Sequence, residues 1–373
     1  MTDLLSISQL RRAAQQGRVF ARAHVQIENL LSKETREHKP YWELLLADAE
    51  AKFTLRAWND SPAYKQCEEL ERGGFLEITG EFSFNPNYGL EAKNWSCRGL
   101  EDEERAELLG GSRELREKQK RDFETIEKSV ATIADPRLRA ISTMFLREFG
   151  ERFKRTAAAR NYHHARRGGL VEHTAQMMRS AEAICGVYPQ LHRDLLLAGV
   201  LFHDSGKLWE NALPDGGFTM GYDECGEMMG HIAIAVELLN RLWRAAESAQ
   251  ENGSWKKLTP RSDDVRLHLI HLILSHHGEM QFGSPVCPKT PEALALHHID
   301  NLDAKLEMIF CAYQNAASLA PRIFERVRPL PGNLIAPLGR FAHSENGNAH
   351  AGGGCSDDHA ERKRVAEKIA EEE

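Results

Sequence analysis

The spacing of apolar residues changes partway along this chain, and that change limits the fold more than any single motif does. From Val19 to Ile27 the pattern alternates, with Val19, Ala21, Ala23, Val25 and Ile27 on one face. A period of two means a half-buried β-strand. Tyr41–Asp48 and Ala51–Trp58 continue as strands around a short turn at Ala49 and Glu50. A polar, helix-like stretch, Ser61–Gly74, ends in two glycines, a helix stop. Phe75–Phe84 alternates again, Asn85–Gly89 reads as a turn, and Leu90–Trp95 reads as a last strand. Three strands, a helix and two strands is the order of a five-stranded OB β-barrel. Such barrels often bind oligonucleotides, though a fold alone does not fix a function. Between residues 161 and 330 apolar residues recur instead at three and four, as in His231–Trp243 and Val265–His277. Strand signals there are few, so that part is expected to be all-α.

The expected architecture is multidomain. An N-terminal extension (1–17) precedes the OB β-barrel (18–98), read as a nucleic-acid-binding domain. A charged helical linker (99–160) follows, in which Pro136 is placed to start a helix, and then the helical domain (161–330). A Gly-rich, charged tail (344–373) is expected to be disordered.

Composition narrows the function classes. No apolar run approaches the roughly 20 residues that span a bilayer, so no membrane association is expected. The N-terminus lacks the apolar core and cleavage site of a signal peptide. The seven cysteines form no CxxC pair, which removes zinc-finger and redox-motif readings and suits a reducing cytoplasm. The formal net charge is −7, of which residues 344–373 carry −4. Nucleic-acid binding driven by overall charge is therefore not expected, while a local basic groove is allowed. A homo-oligomer is equally allowed.

The chemistry gathers at helix ends. Leu195–Phe202 is apolar and runs into His203-Asp204, then Gly206-Lys207. His173, His231, His276-His277 and Asp300 each lie near the end of another apolar helix. Imidazoles and carboxylates without thiolates suit Mn, Fe, Co, Ni or Zn rather than a structural zinc. Two divalent ions bridged by a carboxylate are a recurring device for cleaving phosphoesters. Asp204 is the natural bridge, because its neighbour His203 can bind one of the same ions. Lys207 is suited to neutralising charge on phosphoryl oxygens.

Six phrases in order carry a resemblance: "GGLVEHT", "HDSGKLWE", "GHI", "SHHG", "GSP" and "EALALHHIDNLDAK". They resemble the HD phosphohydrolase superfamily in its two-metal form. They are closer still to the YhaM-type 3′→5′ exoribonucleases of bacteria, which join an N-terminal OB domain to an HD domain. The resemblance spans roughly residues 15 to 325. It implies an HD-type helical domain and a metal-dependent 3′→5′ exoribonuclease that releases nucleoside 5′-monophosphates from single-stranded RNA, with single-stranded DNA as a second candidate substrate. It implies two ions, manganese first, held by His173, His203, Asp204, His231, His276 and Asp300. Asp204, Lys207 and His277 take the catalytic roles, His277 as a ligand or a substrate contact. Asp303 becomes a helix residue or a partner of a ligand. Ser205 departs from the family phrase, where an aliphatic is usual. The alternatives are an HD-type phosphohydrolase of small nucleotides and an inert RNA-binding scaffold.

Lesser candidates complete the reading. Arg166 and Arg167 precede a helix start and are candidate phosphate contacts. Arg56 and Trp58 share one side of the third strand and suit a single strand of nucleic acid. His268 and His271 read as structural. His163, His164, His297 and His298 read as surface residues. Met177, Met178, Met228 and Met229 read as core.

Overall fold

A computed structural model describes residues 2–85, 89–160, 163–211, 213–214, 216–218, 220–249, 255–316 and 318–339. The turn expected at Asn85–Gly89 falls largely on residues 86–88, outside that description, as does the tail at 344–373. Five strands form one antiparallel sheet: β1 (Val19–Glu34), β2 (Pro40–Ala47), β3 (Lys52–Trp58), β4 (Phe75–Asn85) and β5 (Gly89–Gly99), in the order β3-β2-β1-β4-β5. The alternation at the start of β1 fixes its inner face, since Ala21, Ala23, Val25 and Ile27 are all fully buried. The two outer strands approach each other, where the Trp95 indole N–H donates to the Arg56 carbonyl at 3.3 Å. A short helix (Ala63–Cys67) connects β3 to β4.

The segment before β1 is not a mere extension. Helix α1 (Ile7–Gln16) is started by Ser6, which forms a capping box with Gln9. Ile7, Leu10 and Ala14 lie one, four and eight positions along one face, and all are buried in the sheet's core. The Ile7 N–H donates to the Asp48 carboxylate at 2.6 Å, which pins the helix to the β2–β3 turn.

The remainder is helical: α3 (Asp102–Gly110), α4 (Arg113–Ala131), α5 (Pro136–Phe153), α6 (Gly169–Val187), α7 (Arg193–Phe202), α8 (Lys207–Glu210), α9 (Glu224–Ser248), α10 (Ser262–Ser275) and α11 (Pro291–Asn315), with the Ala63–Cys67 helix as α2. Asp135 caps α5 and Pro136 occupies its first turn. Helix α7 sits at the centre, because every residue from Leu195 to Phe202 is buried. Each large apolar side chain sealed there contributes about 1.5–3 kcal/mol. That packing holds the end of α7, where His203 and Asp204 follow, fixed in the interior. Met177 and Met178 are core residues, but Met228 and Met229 are exposed. Helix α9 kinks at Gly230 (φ 69°), and the kink turns the two methionines outward.

Three very short strands, Ser318–Ala320, Ile323–Phe324 and Leu334–Ile335, pair into a small sheet that the helical pattern did not announce. Sheet and helices belong to one compact unit ending at Ile335. Ala47 of β2 and Ala49 of the β2–β3 turn pack with Leu108, Leu115 and Phe218, and the Phe218 N–H donates to Gln26 at 2.7 Å. Among the described residues no helix is long and apolar enough to cross a membrane.

Candidate metal centre

Asp204 stands at the meeting point of five helices. Its Oδ2 lies 3.3 Å from His203 Nε2 and 3.7 Å from His173 Nε2. Its Oδ1 faces the other way, 3.6 Å from His231 Nε2 and 3.7 Å from His276 Nε2. On the first side the Nε2 atoms of His173 and His203 are 3.3 Å apart, and Asp300 Oδ1 is 3.3 Å from His173 Nε2. On the second side His231, His276 and His277 present nitrogens within 4.8 Å of one another.

Whether these groups fit a metal is decided by their unused atoms. Asp204 Oδ1, His231 Nε2 and His276 Nε2 are buried with no hydrogen-bond partner. Leaving buried polar atoms unmatched costs about 1–3 kcal/mol each. The backbone explains why the lone pairs point inward. The Nδ1 of His203 lies 2.8 Å from the Val200 carbonyl, that of His276 2.7 Å from the Ile273 carbonyl, and that of His277 2.8 Å from the Phe282 carbonyl. A carbonyl only accepts, so each Nδ1 carries the proton and each Nε2 is left as a ligand atom. Ligands about 2.0–2.2 Å from one ion sit roughly 3–3.5 Å from each other, close to the spacings observed. The donor set fits divalent ions on both sides of Asp204.

Electrostatics agree. Burial alone would push the Asp204 carboxyl up, but Lys207 and the imidazoles of His203 and His231 hold it well below the usual carboxylate range. Burial likewise opposes a charge on His173, yet Asp300 and Asp303 outweigh it and push the imidazole up to about 9. That corner attracts positive charge. His276 and His277 are lowered by burial and by their neighbouring imidazoles, which keeps these two rings neutral.

A layer behind the ligands holds them. Asp303 accepts from His173 Nδ1 at 2.7 Å and is 3.0 Å from His164 Nε2. Glu210 accepts from the His231 backbone N–H at 2.8 Å and from its Nδ1 at 2.7 Å. Glu210 was within reach of sequence reading, since it closes the phrase "HDSGKLWE", but no pattern said which histidine it would meet. Gly206 answers why the phrase contains glycine: a Cβ there would lie 1.9 Å from the His231 carbonyl oxygen. Lys207 rests on Asp204 Oδ2 at 2.6 Å.

Other expectations need correction. His164 is buried rather than on the surface, and His163 is largely covered beside His173, their ring centroids 5.7 Å apart. His297 is turned inward, its Nδ1 2.9 Å from the His276 carbonyl, while His298 is exposed. Arg166 is not a solvated cation awaiting phosphate: its guanidinium clasps the buried Glu172 and also pairs with Glu307. Arg167 lies toward the exterior and donates to the Pro214 carbonyl. On the sheet, Arg56 pairs with Glu43 at 3.3 Å, and the exposed Trp58 stacks with Tyr41, ring centroids 4.8 Å apart. Neither group is near the metal centre in sequence or in its hydrogen-bond network.

Comparison with known proteins places this geometry. The HD domain family matches residues 170–305, a span that holds all six residues around Asp204 and its two faces. The 3′-5′ exoribonuclease YhaM of Bacillus subtilis (strain 168) is 31% identical over 294 residues, covering 78% of this chain and 83% of that protein. The chain belongs to the YhaM 3′-5′ exoribonuclease family. The namesake from Geobacillus sp. (strain WCH70) is also 31% identical, over 78% of this chain and 81% of its own length. That of Bacillus velezensis reaches 37% over 207 residues, 56% of this chain and 57% of its own length. The matched span exceeds the helical domain, so the relationship includes part of the region before it.

Proposed function

We propose that the protein is a metal-dependent 3′→5′ exoribonuclease that shortens single-stranded RNA and releases nucleoside 5′-monophosphates. The observation that carries this reading is Asp204, one carboxylate oxygen turned to each of two histidine groups, in a chain of the YhaM family. In this reading His173, His203, Asp204 and Asp300 hold one ion, and Asp204, His231 and His276 hold the second. Manganese is the first choice, and Co, Fe, Ni and Zn are compatible with the same ligands. Two such ions, when bound, supply an activated water and offset charge on the attacking and leaving oxygens.

The chain's own groups do the positioning. Asp204 sets the separation of the two sites. The carbonyls of Val200 and Ile273 keep the rings of His203 and His276 from turning away. Lys207, one hydrogen bond from Asp204, is a compact cation for a phosphoryl oxygen. His277, only half-buried, is the ligand or contact closest to incoming substrate. We read residues 18–98 as an OB barrel, which the strand order β3-β2-β1-β4-β5 with a helix between β3 and β4 supports. Trp58 and Arg56 would hold the strand there, Arg167 would meet its phosphates, and residues 161–330 would cut it. The tail at 344–373 has no assigned part.

The test is a time course on 5′-labelled single-stranded RNA with Mn²⁺, run beside Asp204→Ala. The expected result is a ladder that shortens from the 3′ end and is absent in the variant. Intact RNA in both would overturn the proposal. Activity on small nucleotides that survives deletion of residues 1–98 would replace it with a small-nucleotide phosphohydrolase.

A further inference from the structure

The metal centre reaches the surface at Asp300 on one side of Asp204 and at His231 and His277 on the other. His173, His203 and His276 are sealed, whereas His231 and His277, ring centroids 5.2 Å apart, are half-buried. Large apolar side chains stand exposed in the segments that flank His231 and His277. The Phe282 carbonyl accepts from the His277 ring, while the Phe282 side chain is 63% exposed. Met280, in the same short turn, is 71% exposed. Beside His231, Met228 and Met229 end the segment before the Gly230 kink and also face outward. Tyr222 is 81% exposed, with the Arg160 guanidinium 4.3 Å from its ring centroid. Arg160 in turn donates to the carbonyl of Glu210, the residue that holds His231. Side chains of this kind are normally buried, and their exposure in the segments next to His231, His277 and Glu210 marks a binding surface.

We propose that this rim is a nucleobase subsite, in which the 3′-terminal bases stack on Phe282 and Tyr222 with the methionines as flexible walls. The inference rests on the exoribonuclease reading. A base is tied to its own phosphate by a single sugar, so a phosphodiester lying at Asp204 brings its bases to whatever borders His231 and His277. Stacking fits an enzyme that must accept every nucleotide in turn, because every base has a π-face. Methionine adapts to differently shaped rings. Arg160 is a positioning residue that holds the Tyr222 ring and so links the rim to the backing of His231.

The experiment compares two single-stranded RNAs with Mn²⁺, one ordinary and one abasic at its last two positions. Wild type, Phe282→Ala and Tyr222→Ala are measured on both, with bound metal quantified for each. Wild type is expected to remove abasic nucleotides about 5- to 100-fold less efficiently, mainly through KM. Phe282→Ala is expected to slow on ordinary RNA by a similar factor and not on abasic RNA, with metal content unchanged. The two substrates then become nearly equal for the variant. Equal rates for wild type on both RNAs would overturn the subsite and leave the exoribonuclease intact. So would a Phe282→Ala variant slowed equally on both. A variant that alters sedimentation behaviour while keeping the discrimination would reassign the rim to contact between copies of the chain. Failure of wild type to cut either RNA removes the exoribonuclease reading and the subsite with it.

Discussion

On the α6 and α11 side of Asp204, His173 and His203 meet two carboxylates, and an ion-pair layer lies behind them. On the α9 and α10 side, the imidazoles of His231 and His276 face a single carboxylate oxygen with His277 beside them, and backbone carbonyls with one glutamate lie behind them. The first half concentrates negative charge in a largely buried volume, where Coulomb attraction to a cation is strong. The second half has its share of Asp204 and the Glu210 carboxylate behind His231, and it reaches the surface at His231 and His277. The first half is therefore expected to retain its ion, and the second to exchange its ion and to meet the substrate. Asp204→Ala removes the one group common to both. It is expected to lower activity at least ~10³-fold, about 4 kcal/mol of transition-state stabilisation, and to empty both halves. Metal analysis that still finds two ions per chain in Asp204→Ala would break the bridge.

The ion-pair layer gives the first half its own acid limit. Burial alone would raise the Glu172 carboxyl, but Arg166 and Lys118 hold it down to about 2. Its pKa is thus lower folded than unfolded, so it stabilises the fold above the unfolded value near 4.5 and that stability is lost as pH falls toward 2. The fully buried side chain makes the contribution about 3 kcal/mol at neutral pH, as an order of magnitude. Glu172→Gln is expected to cost a similar amount by denaturant titration at pH 7 and to cost much less near pH 3. A loss independent of pH would mean that Glu172 acts by packing and not by charge. Behind the second half the partly exposed Glu210 pairs with His231, so its counterpart is milder. Glu210→Gln keeps an acceptor for His231 but removes the charge, and it is expected to weaken the looser of two metal-binding steps by about 10- to 100-fold. If the tighter step weakens instead, the order of the two halves is reversed.

Of the side chains gathered around Asp204, His173, His203, His231 and His276 are legible because each sits near a helix end or kink, and such places are marked by periodicity, glycine and polar residues, whereas Asp300 is the tenth residue of α11, inside the helix. The order of strands was legible for the same reason in the period of two. What lay behind the ligands was not. "HHARR" reads as a basic surface loop, yet His164 is buried and Arg166 half-buried against Asp303, Glu172 and Glu307, partners up to 141 residues away. No local pattern carries such a contact. Met228 and Met229 extend the apolar spacing of α9 and were read as core, because a sequence does not display the positive φ at Gly230 that breaks the helix face. Ile7, Leu10 and Ala14 carry a usable helical signal, at a spacing of three and four, that the reading of residues 1–17 as an extension leaves out. Strands of two or three residues, as after α11, are too short to show a period.

The smallest expected effect separates two neighbours, His297 and His298, that the sequence presents as twins. On one helix they point about 100° apart. His297 turns inward, and its Nδ1 meets the His276 carbonyl at 2.9 Å. Its ring also fills the space where a Cβ on Gly278 would stand, 2.2 Å from His297 Cε1. His298 is exposed. If the second half depends on how its rings are held, His297→Ala should lose one net hydrogen bond, about 0.5–1.5 kcal/mol, and weaken the looser metal step by a few-fold. His298→Ala should stay within about 0.5 kcal/mol of wild type on both counts. Stability and metal titration of the two variants side by side check this. Equal behaviour of the pair would mean that the carbonyl of His276 needs no partner, and that the second half is positioned by α10 alone.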